Sequence, residues 1–189
     1  MSKRIMGIDP GLRCTGYGVV DLVDGEYVLL DAGVVRTDAD SALQDRLQCL
    51  FQGILEVMEE YHPEVATVEK LYSHYEHPHT AILMGHARGA IYLAAAEANV
   101  AIEAYEATLV KKSLTGHGRA SKEQVGRMVC GMLSLTERPT PVDITDALAL
   151  ALCHGRPTDK KDRSLHPQIE QAMEETRQRR SNFPGRHSS

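Results

Sequence analysis

The sequence predicts an α/β fold, a five-stranded mixed sheet with helices on both faces. Three observations carry this. The first 36 residues hold three short apolar runs separated by turn signals, the pattern of an antiparallel meander. A long segment with helical periodicity follows, and then a strand–helix–strand unit and further helices. The 189 residues are enough for one domain with a substantial core, extended by a tail.

Each element has its own local cause. Residues 4–9 carry Ile5, Met6 and Ile8 and end on Asp9, after which Pro10-Gly11 turns the chain. Residues 17–22 and 27–36 are strand-like and are joined across Asp24-Gly25, a hairpin signal. From Ser41 to Tyr61 the residues Leu43, Leu47, Leu50, Phe51, Ile54, Leu55 and Met58 form one apolar helical stripe, which His62-Pro63 stops. Val65 to Glu69 reads as a fourth strand, again ending in an acid. A second long helix is expected over about 79–99, with small residues at Gly85, Ala87, Gly89, Ala90, Ala94 and Ala95 that permit close approach of another backbone. Residues 100–105 make a short fifth strand, and helices follow at about 107–114, 122–133 and 144–153. Ser121 with Gln124 three residues on is a capping-box start.

Residues 1–155 are therefore expected to form the folded domain and 156–189 a flexible basic tail. Through Gly155 there are 13 Lys+Arg against 21 Asp+Glu, and from Arg156 onward 8 against 5. The acidic total does not exclude DNA, because contact depends on local basic patches, but it does predict a need for divalent cations. No apolar run reaches the ~20 residues that cross a bilayer, and the start lacks the features of a secretory signal. The four cysteines, Cys14, Cys49, Cys130 and Cys153, form no C-x-x-C pair, so free thiols and a cytoplasmic location are expected.

Chemistry concentrates in three places. Gly7-Ile-Asp9-Pro-Gly11, followed by Thr15-Gly16-Tyr17-Gly18, puts an acid at a strand end beside glycines, where backbone can approach a phosphate or metal; an ordinary glycine turn has the same letters. Val65 to Glu69 leads a buried strand into a carboxylate, and a solvated strand end would look alike. Asp143 and Asp146, at i and i+3, share one face of a helix start, where helix-dipole capping also favours acids. Taken together, clustered carboxylates without His or Cys partners select hard cations such as Mg²⁺ and Mn²⁺. Two such ions about 4 Å apart serve phosphodiester cleavage. Acids held together without metal repel, so at least one is expected to have a raised pKa.

These motifs, with Gly85-His-Ala-Arg88-Gly89, Val110-Lys111-Lys112, Gly116-x-Gly118-x-Ala120-x-Lys122 and Asp143-x-x-Asp146-Ala-Leu-Ala149, run in order from about residue 4 to 154 and together resemble the RuvC family of Holliday-junction resolvases. The resemblance implies an RNase H-like fold, a homodimer, and paired symmetric nicks across a four-way DNA junction that leave 5′-phosphate and 3′-hydroxyl ends. It implies Asp9, Glu69, Asp143 and Asp146 as catalytic and metal-binding positions for two Mg²⁺ ions per site, with Mn²⁺ as substitute. Tyr72 matches an aromatic that the family uses near the junction, and Lys111 and Lys122 match positions that contact the DNA backbone. For Lys112 and Arg119 a solvated surface charge competes with DNA contact, and Arg88 and Gly89 are assigned to helix packing. The loop after Glu69 departs from the family pattern: it is rich in histidine, at His74, His77 and His79, and looks one residue longer. A branch-migration helicase complex as partner is left open. So are an RNase H-like nuclease of another substrate and a non-catalytic junction-binding protein. A sugar-kinase or chaperone-type ATPase shares the glycine hairpin, but needs two such domains and a second Asp-Gly phosphate hairpin.

Overall fold

In a computed structural model, residues 2–70 and 78–156 are described, with the backbone alone for residues 78 and 79. The order is β1 (Ser2–Asp9), β2 (Cys14–Val23), β3 (Glu26–Arg36), α1 (Leu43–Tyr61), β4 (Val65–Glu69), α2 (Pro78–Glu97), β5 (Ala101–Tyr105), α3 (Ala107–Thr115), α4 (Lys122–Met132) and α5 (Val142–Gly155). The five strands form one sheet in the order β3-β2-β1-β4-β5. β1 pairs antiparallel with β2 and parallel with β4, so the sheet is mixed as expected.

Local chemistry accounts for the boundaries. Asp24 and Gly25 both take positive φ, 52° and 95°, in the tight turn between β2 and β3. The Ser121 hydroxyl accepts from the Gln124 N–H at 3.3 Å while the Gln124 side chain accepts from the Ser121 N–H at 2.8 Å, completing the box that starts α4. α1 ends at His62 in the left-handed region.

Alternation along the strands divides the core in two. Met6, Ile8, Ala66 and Val68 pack with Leu50, Ile54 and Met58 of α1 and with Ala87 and Ile91 of α2. Ile5, Val65 and Tyr105 point the other way, onto α3, α4 and α5, where Leu148 and Leu152 are fully buried. Helices therefore cover both faces. α5 carries a run of buried residues from Ala147 to His154, because it is sandwiched between the sheet and α3–α4. Among the described residues no helix is long and apolar enough to cross a membrane. Arg156 closes α5 by donating its N–H to the Cys153 carbonyl, and residues 157–189 of the expected tail lie outside the described residues.

Candidate active site

The register sets the first two acids side by side. Ile8 of β1 lies opposite Val68 of the parallel strand β4, so the residues that follow, Asp9 and Glu69, end neighbouring strands at the same level. Ile8 and Val68 face α1 and α2; by the two-residue period Asp9 and Glu69 face α5. On its other side β1 has an antiparallel neighbour. The site therefore sits at the carboxyl end of a strand where the sheet changes direction, a place where open α/β sheets bind ligands.

Glycine brings the other two acids to them. A Cβ on Gly7 would overlap the Ala147 carbonyl and come within 2.9 Å of the Ala151 nitrogen. One on Gly16 would overlap the Asp143 carbonyl and lie 2.9 Å from the Asp143 Cβ, and one on Gly18 would lie 2.7 Å from Leu148 Cγ. These strand glycines, expected to let backbone approach a phosphate or metal, admit α5: its backbone at Gly7 and Gly16 and the Leu148 side chain at Gly18. Asp143 lies in the first turn of that helix, whose N-cap is Pro141, and Asp146 follows three residues on. Asp143 is thus inside the helix and not its cap.

Electrostatics records the convergence. The Asp9 carboxyl is pushed up to about 7, first by burial and then by the charges of Asp146, Glu69 and Asp143; Lys122 opposes the rise. Glu69 is raised by burial and by Asp146, while Lys122, Lys111 and Arg88 pull it down. The raised carboxyl expected of the cluster is found at Asp9 and also at Glu69. Lys122 reaches Asp146 with Nζ 2.8 Å from Oδ2, and this contact is the main cause of its own raised pKa. Cys14 is raised by burial and by the charge of Asp143 beside it.

Sequence reasoning placed Lys111 and Lys122 at DNA; both stand at the acids, with Lys122 bonded to one of them. Lys112 and Arg119 are exposed. Tyr72, His74 and His77 lie outside the described residues, and so does the side chain of His79. Arg88, assigned to packing, donates Nη1 to the Glu69 carbonyl and Nη2 to the Tyr92 hydroxyl at 3.0 Å. Its place in the Gly85-to-Gly89 motif is the signal that could have found it.

Among the described residues no three His, Cys, Asp or Glu side chains are closed into a cluster that could hold a metal. Burial first, and then the charges of Asp146, Glu69 and Asp143, nonetheless lift Asp9 to about 7. Four oxygen-only donors with more negative charge than Lys122 offsets suit a hard divalent cation.

Comparison with known proteins decides the family. The family model described as crossover junction endodeoxyribonuclease RuvC matches residues 5–154. The chain belongs to the RuvC family. A RuvC of Rhodopirellula baltica is 46% identical over 149 residues, which cover 79% of this chain and 84% of the relative. Among solved structures, Thermus thermophilus RuvC superposes with a TM-score of 0.75 at 39% identity, covering 80% of this chain and 92% of that one. T. thermophilus RuvC in complex with Holliday junction substrate gives 0.73 at 37% identity, with the same coverage. The expected RNase H-like fold is the fold of this chain, and all four acids, Lys111 and Lys122 fall inside the matched span.

Proposed function

We propose that the protein is a Holliday-junction resolvase, an endonuclease that makes paired symmetric nicks in four-way DNA junctions and leaves 5′-phosphate and 3′-hydroxyl ends. The observation that carries this is the convergence of Asp9, Glu69, Asp143 and Asp146 on one field, with Asp9 lifted to about 7. It is supported by similarity to crossover junction endodeoxyribonucleases and to a RuvC solved with junction substrate.

The residues divide the work by chemistry. Asp9, Glu69, Asp143 and Asp146 would hold two Mg²⁺ ions, for which Mn²⁺ can substitute. When bound, these ions supply charge at the phosphate oxygens and an acidified water. Asp9 and Glu69 are fixed by the sheet, and Asp143 and Asp146 by the seating of α5 on Gly7, Gly16 and Gly18. Lys111 and Lys122 supply positive charge at the rim, where a phosphodiester backbone enters. Tyr72, Lys112 and Arg119 extend the contact with DNA, Tyr72 by stacking on an unpaired base.

A homodimer supplies the second nick. α2 supports this with a stripe on which Ile82 is 59% and Leu93 60% exposed and Gly85 and Gly89 have open space at the Cβ position. Residues 156–189 act as a separate basic tail, and the protein works in the cytoplasm.

The test is a synthetic four-way junction and a matched linear duplex, each with and without Mg²⁺. Paired nicks at symmetric positions on the junction alone, and only with Mg²⁺, are expected. Equal cutting of duplex or of an RNA–DNA hybrid would replace the substrate. Junction binding with no cutting across several sequences and metals would leave a non-catalytic binding protein.

A further inference from the structure

Glu69 is the last residue of β4, and one side of its backbone has a donor the sheet cannot supply. Lys70 donates its N–H to the Tyr105 carbonyl of β5 at 2.7 Å. Successive residues of a strand turn their backbone groups to opposite sides, so the Glu69 carbonyl turns toward β1. In the register that pairs Ile8 with Val68, the next donor position on β1 is Pro10, which has no N–H. The Pro10 that turns the chain after Asp9 thereby takes away the ladder bond that would hold the neighbouring acid's carbonyl.

Arg88 fills that position. Its Nη1 donates to the Glu69 carbonyl, crossing from α2, and its Nη2 donates to the Tyr92 hydroxyl one turn later on the same helix. The guanidinium also lies over the Tyr92 ring, 5.4 Å from the centroid. Two bonds and a ring hold the fork, whose planar donors are fixed relative to one another where those of an ammonium are gathered at one point. The same charge is one of three that favour the ionised form of Glu69.

We infer that Arg88 is a positioning residue of the nuclease site, replacing the sheet bond that Pro10 omits and so fixing the strand end that presents Glu69. It acts through the Glu69 carbonyl, and the inference rests on the assignment of Glu69 to the site made above.

The test compares full-length wild type with Arg88→Ala, Arg88→Lys and Tyr92→Phe. Arg88→Ala should lower kcat for junction cleavage roughly 10- to 100-fold through misplacement of one ligand, with KM and metal-free junction affinity unchanged. It should weaken binding of Mn²⁺ alone and speed hydrogen exchange at the Lys70 amide in EDTA. Arg88→Lys should recover part of each loss, and Tyr92→Phe should show a smaller loss in the same direction. Wild-type kcat and Mn²⁺ affinity in Arg88→Ala would overturn the inference. Should Arg88→Ala not fold, a fully active Arg88→Lys with wild-type Mn²⁺ affinity would overturn it equally. Should wild type leave every junction uncut, the resolvase assignment falls, while Mn²⁺ affinity and Lys70 exchange still decide the role of Arg88.

Discussion

Two sets of glycines in this chain look alike on paper and do opposite things. Gly7, Gly16 and Gly18 lie on β1 and β2 beneath α5, and every one of them would collide with that helix if it carried a Cβ. Gly85 and Gly89 lie on α2 and would meet nothing within 4 Å. The first set is a closed seam inside the molecule, where Gly7 and Gly16 rest against the backbone of α5 and Gly18 against the Leu148 side chain. The second is open, bordered by exposed Ile82 and Leu93. A glycine within a strand or helix thus marks either a closed contact or an open face, and the packing around it decides which.

The seam also decides the chemistry. By letting α5 descend onto the sheet it brings Asp143 and Asp146 within the field of Asp9, and burial together with that closeness raises the Asp9 carboxyl. The first way to break the contrast is one substitution made in both sets. Gly16→Ala should cost roughly 3 kcal/mol, because the obstruction is the Asp143 backbone, about 10 °C in Tm for a chain of this size. Nicking should be lost along with it. Thermal unfolding and a junction assay read both.

A second effect, intermediate in size, tests the field itself. Asp9 ionises at 3.8 when free and at about 7 in the folded protein, so the folded state holds the extra proton between those values. Its contribution to stability is complete below about pH 4 and is lost as pH rises through 7. In EDTA, Asp9→Asn should therefore be more stable than wild type at pH 8, by on the order of 2 kcal/mol, with the difference gone at pH 4. Identical melting at pH 8 would mean that burial and the neighbouring acids do not raise Asp9 in the folded protein.

The smallest effect belongs to the open set. Gly85→Ala should stabilise the isolated subunit by about 0.5–1 kcal/mol through helix propensity, the opposite sign to Gly16→Ala. It should also weaken self-association if a second copy packs there, which sedimentation would detect. Destabilisation of the monomer would show that Gly85 is already in contact.

How much of this was legible in sequence depended on range. The Asp24-Gly25 turn and the Ser121–Gln124 box involve neighbours along the chain, so their residues state the structure directly. Asp9 and Glu69 were readable as strand ends, and Asp143 and Asp146 as one helical face, because those are periodicity statements. The seat of α5 was not readable as such, since a turn glycine, a phosphate-loop glycine and a helix-seating glycine are written identically. Nor were the Lys122–Asp146 contact or the bond from Arg88 to the Glu69 carbonyl, which join residues 24 and 19 positions apart. The first depends on how α4 meets α5, and the second on what Pro10 removes from the ladder.

The most direct test of the central claim, that four distant acids form one nuclease site, is Asp143→Asn on a synthetic junction. The side chain keeps its size and the helix its seat, so junction binding and Tm should stay near wild type. Mg²⁺-dependent nicking should fall at least about 100-fold, as expected for loss of a group that acts only in the chemical step. Full nicking activity in that variant would contradict the assignment of Asp143 and with it the shared site.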